Sequence, residues 1–189
     1  MKEFRSAELN ISGQTEQLSL FGRPILYDVP TTINLPNGQS YTEIIKRGAL
    51  DDADLSDIRL LYNHDTNRIP LARTPKTMSF ELDEAGLTMR ANLPDTPEGQ
   101  SVYTAVKRQD LSGMSFAFKV PDDGSHYDVK TNTRSISKIS KVYEFSICPF
   151  PAYTQTSVEA RSVIESAQQE QSVREKALIS LNKILFKGE

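Results

Sequence analysis

Apolar and polar residues alternate with a period near two through most of the chain from about residue 18 to residue 153, and turn-forming residues interrupt the alternation at short intervals. The pattern predicts a mainly β body. LSLFGRPILYD reads as strand, turn and strand, and IRLLYNH as a strand ending on His64. MSFELDEAGLTMRANL reads as a hairpin turning at Glu84, Ala85 and Gly86. LSGMSFAFKV and SKISKVYEFSICPF supply two further strands, separated by the polar loop PDDGSHYDVKTNTR and ended by Pro149 and Pro151. Two windows read as flanking helices. In SYTEIIKRGAL, Ser40 with Glu43 three residues on has the form of a capping box. In PDTPEGQSVYTAVKRQD, Thr96 caps, Pro97 takes the first helical position, Glu98 complements the helix dipole, and Val102, Ala105 and Val106 form one apolar face.

The pattern changes after Ser157, where glutamine, serine and balanced charge take over. From Ser172 onward Val173, Ala177, Leu178, Leu181 and Leu185 recur at helical spacing, and the QQEQS run before them has no stripe. The expected division is therefore a domain over residues 1–157, followed by a linker and amphipathic helical tail over 158–189. A length of 189 residues fits one core with such an appendage.

Composition narrows the chemistry. A net charge of −3 gives no basic footprint, so nucleic acid is not expected as a partner. No apolar run approaches the ~18 residues of a membrane span. MKEFRSAELN lacks the apolar core of a secretion signal, so the chain is expected to remain in the cytoplasm. The lone Cys148 excludes an internal disulfide, and two histidines with one cysteine are too few for a structural zinc site. No metal or cofactor is expected.

Strand alternation places Gly113, Ser115 and Ala117 on one face of LSGMSFAFKV and Met114, Phe116, Phe118 and Val120 on the other. A strip of small residues leaves a serine hydroxyl accessible to a substrate, and it equally suits close sheet packing. In KVYEFSIC the same rule sets Tyr143, Phe145 and Ile147 on the apolar face, opposite Val142, Glu144, Ser146 and Cys148. Glu144 is then either a solvated edge residue or a carboxylate that orients a histidine. His64 can serve as a general base, whereas His126, the other histidine, sits in DDGSHYDV and reads as a loop tip. The order histidine, serine, glutamate, without a G-x-S-x-G elbow, disfavours an α/β-hydrolase.

Taken in order, EIIKRGAL, LLYNHDTNRIPLART, LDEAGLTMRANLPDTPEGQ, LSGMSFAF and YEFSICPFPAYTQTSVEAR resemble the prohead (capsid maturation) proteases of tailed bacteriophages over about residues 18 to 161. That family is regarded as related to the herpesvirus assemblins. The resemblance implies an α+β, mainly β fold, an assemblin-like closed β-barrel with flanking helices. It makes His64 the base, Ser115 the nucleophile and Glu144 the third member. Asp65 and His126 remain alternatives for the third place, since assemblins use a second histidine there. The implied substrate is the scaffolding segment of the major capsid protein, or a separate scaffold, cleaved inside the assembling prohead in the host bacterial cytoplasm, with self-cleavage and a homodimer also implied. The rival reading is a catalytically silent internal scaffold or assembly factor. Cys148 as a nucleophile is a third.

Overall fold

The computed structural model describes residues 3–10, 18–35 and 37–149. Their alternation is realised as β1 (Glu3–Asn10), β2 (Ser19–Leu26), β3 (Thr31–Asn34), β4 (Ser40–Ile45), β5 (Arg59–Tyr62), β6 (Ala72–Arg73), β7 (Met78–Asp83) and β8 (Gly86–Asn92), then helix α1 (Pro97–Lys107), then β9 (Gly113–Lys119), β10 (Ser125–Asp128), β11 (Thr133–Ile136) and β12 (Lys141–Cys148). One sheet has eight strands in the order β6-β5-β12-β9-β1-β2-β8-β7, and a second has four in the order β10-β11-β4-β3. This open order overturns the expected closed barrel. β6, two residues long, and β7 are the two edges of that sheet, and no ladder joins them among the described residues. The expected tail helix and the boundary at residue 157 lie outside the described residues.

Three local expectations give way to tertiary pairing. The window at Ser40 is strand β4, not a helix, because Tyr41, Thr42, Ile44 and Ile45 favour the extended state and Tyr41, Glu43 and Ile45 face inward with period two. The polar stretch after Pro121 contains β10 and the start of β11, which pair as a hairpin, so His126 lies on a strand opposite Ser135 rather than at a loop tip. LSLFGRPILYD holds a single strand whose register shifts between Gly22 and Ile25, around Pro24 and its missing donor. The other signals translate directly. Asp83 Oδ1 accepts from the amides of Ala85 and Gly86 in the β7–β8 turn, and Thr96 Oγ1 accepts from Gly99 N at 3.2 Å to cap α1. Among the described residues α1 is the one helix, so the two flanking helices expected reduce to one.

The core lies against the inner face of the large sheet. Met114, Phe116 and Phe118 of β9 bury there beside Phe145 and Ile147 of β12, with Phe116 and Phe118 stacked at 4.8 Å. Val142 joins them, whereas strict alternation would put it on the opposite face. The register of β12 against β9 shifts between Val142 and Glu144, which leaves Tyr143 as the extra, half-buried residue.

The small sheet is held by a buried ion pair. Arg134 stands in register with Glu43 across the parallel β11–β4 pair, its Nη1 lies 3.1 Å from Glu43 Oε2, and the two side chains are 1% and 2% exposed. Tyr41 Oη donates to the same carboxylate oxygen at 3.4 Å. Removing one partner strands the other charge in the interior, so Arg134→Leu is expected to cost about 3–5 kcal/mol. The double replacement Glu43→Leu/Arg134→Leu should recover most of the loss. Urea unfolding midpoints test this, and an unchanged midpoint for Arg134→Leu would remove the pair from the forces that hold this sheet.

Candidate active site

His64 leaves the large sheet on a tight turn rather than on the end of a strand. The amide of Asp65 donates to Tyr62 O at 3.1 Å, and the two residues between, Asn63 and His64, have φ of +51° and +59°. Two left-handed central residues are the mark of a type I′ turn, and asparagine and histidine are among the residues that tolerate them at a cost of about 1–2 kcal/mol each. The turn is tied to β12 by consecutive amides. Asn63 N donates to Ile147 O at 2.9 Å, and His64 N donates to Ser146 Oγ at 3.1 Å.

The shift at Tyr143 turns Glu144, Ser146 and Cys148 toward one face, opposite Ala117, Ser115 and Gly113 of β9 respectively. There Glu144 Oε1 lies 2.6 Å from His64 Nδ1, and Glu144 Oε2 accepts from Ser146 Oγ at 2.5 Å. Both oxygens of a buried carboxylate are thus used, as burial requires. An ionised carboxylate only accepts, so a neutral imidazole paired with it carries its proton on Nδ1 and keeps its lone pair on Nε2. The histidine ring is 18% exposed and the glutamate side chain 5%.

Ser115 occupies the neighbouring strand, directly across from Ser146. It is 1% exposed, and its Oγ has no hydrogen-bond partner among the described residues. The strip of small residues at Gly113 and Ala117 is therefore what lets β12 bring its polar face against this hydroxyl. A buried hydroxyl left without a partner is costly for folding, so this oxygen stands out among the described residues.

The model matching the chain over residues 5–171 is that of the caudovirus prohead serine protease. The chain belongs to that family. The prohead protease of Enterobacteria phage HK97 is 29% identical over 136 residues, covering 70% of this chain and 58% of that protein. The match spans less than two thirds of that relative's length. No solved structure matches the chain.

The remaining candidates of this prohead protease family member fall elsewhere. Asp65 turns away from His64: its Oδ1 accepts from Asn67 N at 3.0 Å and its Oδ2 pairs with Arg68 at 3.2 Å. His126 is exposed on β10 of the small sheet. For an oxyanion the sequence suggests backbone amides near Arg73, but those of Arg73 and Thr74 donate to Thr77 Oγ1 and Ile58 O, and Arg73 Nε pairs with Asp57 at 2.7 Å. Among the described residues no group of three side chains could hold a metal, and no helix is long and apolar enough to cross a membrane. Ser146 is the residue that sequence reasoning passed over. Its position two residues beyond Glu144 on one strand face was the available signal.

Cys148 is buried, and burial, with the nearby Glu144 charge, pushes its thiol up to about 12. At pH 8 about one thiol in 10⁴ would then be ionised, too few for a nucleophile. Iodoacetamide at pH 8 should leave Cys148 unmodified in the folded protein and alkylate it in urea. Rapid alkylation of the folded chain, by mass, would return the thiol to consideration.

Proposed function

We propose that this chain is a serine endopeptidase in which Ser115 is the nucleophile, His64 the general base and Glu144 the carboxylate that orients it. The observation that carries the reading is the 2.6 Å contact between His64 Nδ1 and Glu144 Oε1, set beside a buried serine on the adjoining strand. With Nδ1 protonated, Nε2 can take the proton of Ser115 as Oγ attacks the scissile carbonyl, and later return it to the leaving amine. Glu144 holds the ring in that tautomer and stabilises the imidazolium. The Ser115–His64 hydrogen bond is completed as substrate binds, since catalytic hydrogen bonds commonly tighten only in the Michaelis complex. Family membership supports the substrate class: the scaffolding segment of a capsid protein, or a separate scaffold, cleaved inside the prohead, together with the chain itself.

In co-expression with the capsid protein, Ser115→Ala should stop processing, a loss of roughly 10⁴- to 10⁶-fold. It should leave the melting temperature unchanged or slightly raised, because the oxygen it deletes is buried without a partner among the described residues. His64→Ala should be equally inactive, Glu144→Gln should keep a trace, and His126→Ala should process normally. Processing that survives Ser115→Ala, or that fails in His126→Ala, would overturn the assignment. The polar stretch between about Ser157 and Ser172 is proposed as a self-cleavage site that releases a recruiting tail. A chain ending at Arg161 should then react at Ser115 with a fluorophosphonate yet stay out of proheads, and its normal packaging would place the recruiting signal in residues 1–161.

A further inference from the structure

We infer that Ser146 is a positioning residue for the His64–Glu144 pair, a step that rests on the reading of those two as base and orienting carboxylate. Its hydroxyl is 0% exposed and closes a ring of three hydrogen bonds. His64 Nδ1 meets Glu144 Oε1 at 2.6 Å, Glu144 Oε2 accepts from Ser146 Oγ at 2.5 Å, and Ser146 Oγ accepts from His64 N at 3.1 Å. One hydroxyl proton and one lone pair therefore serve the side chain of the acid and the backbone of the base together.

The consequence is geometric. Glu144 reaches His64 from a strand and His64 meets it from a turn, so nothing in either element alone fixes their relative placement. Ser146 does so twice over. Donation to Oε2 sets the rotation of the carboxylate, so that Oε1 points at Nδ1. Acceptance from the His64 amide holds the backbone at φ +59°, one residue beyond the last amide that β12 binds through its own backbone, Asn63 N to Ile147 O. The direct rival is a small residue kept only so that β5, β9 and β12 can pack. An alanine would satisfy that need and would leave both Glu144 Oε2 and the His64 amide without this partner.

The test separates the two readings without requiring the natural substrate. Diisopropyl fluorophosphate is reacted with the full-length protein and the rate of Ser115 modification followed by mass: the Ser115 Oγ–P bond forms, fluoride leaves, and the hydroxyl proton passes to His64. Ser146→Ala should slow this roughly 10- to 100-fold, the scale expected when a reacting group is misplaced by an ångström or less. Ser146→Thr, which keeps the hydroxyl, should recover most of the rate. In parallel, the downfield proton resonance of His64 Nδ1–H, recorded in a Ser115→Ala background, should weaken or vanish in Ser146→Ala and persist in Ser146→Thr. If Ser146→Ala only lowers the melting temperature, with labelling rate and resonance intact, Ser146 is a packing residue and the inference fails. Should the alanine variant not fold, Ser146→Cys keeps the volume with a weaker donor, and a normal rate and resonance there would equally overturn it. Absence of Ser115 labelling in the wild-type protein would sink the protease reading instead, while the resonance still decides whether Ser146 places the histidine.

Discussion

The site depends on a single irregularity in β12. Between Val142 and Glu144 the strand carries one residue more than β9 opposite it, and the residues on either side of Tyr143 consequently face opposite ways. Val142 goes into the core with Phe145 and Ile147, and Glu144, Ser146 and Cys148 go to the face shared with Ala117, Ser115 and Gly113. A regular strand would have to choose. Kept in register with its lower half, it would lift Val142 out of the core; kept in register with its upper half, it would bury Glu144 among phenylalanines, where an ionised carboxylate has no partner. The bulge lets one strand serve both the core and the polar cluster. It also explains why β12 is central, bonded to β9 on one side and β5 on the other, for those two neighbours deliver the serine and the histidine turn.

This arrangement shows which parts of the candidate site were legible in the sequence. The small-residue face of β9 was, because its alternation of small and large residues is unbroken from Gly113 to Phe118, both faces being buried. Glu144 as a strand carboxylate near a histidine was also legible, but the face of Val142 was not, since a bulge leaves no mark in a hydrophobic pattern that both neighbouring residues satisfy. Ser146 escaped for a related reason. A serine two residues from an acid looks like any polar alternation until β5 brings the His64 amide onto its oxygen, 82 positions away in sequence.

Elsewhere the misreadings were local signals overruled at long range. Ser40 and Glu43 satisfy the spacing of a capping box, yet Glu43 is claimed by Arg134, 91 residues on, and the segment extends to meet it. The stretch PDDGSHYDVKTNTR is polar enough for a loop, but Tyr127 and Arg134 face each other across a hairpin and give it an inner side. The closed barrel came from a resemblance rather than from the pattern, and no periodicity in two residues of β6 could have said whether an edge would close.

Among the described residues, two buried carboxylates meet their basic partners differently, one in each sheet. In the small sheet Glu43 meets Arg134, a guanidinium that does not give up its proton at any pH a protein meets, so the pair can only hold charge in place. In the large sheet Glu144 meets His64, an imidazole, which unlike a guanidinium has a neutral form that offers a lone pair. The first pair is closed to solvent on both sides. In the second the carboxylate is closed and the imidazole is 18% exposed, although its Nε2 atom is itself buried. The same physical demand, a partner for each buried carboxylate, is met by side chains of different chemistry: a fixed cation in the small sheet and the imidazole of the candidate site in the large one.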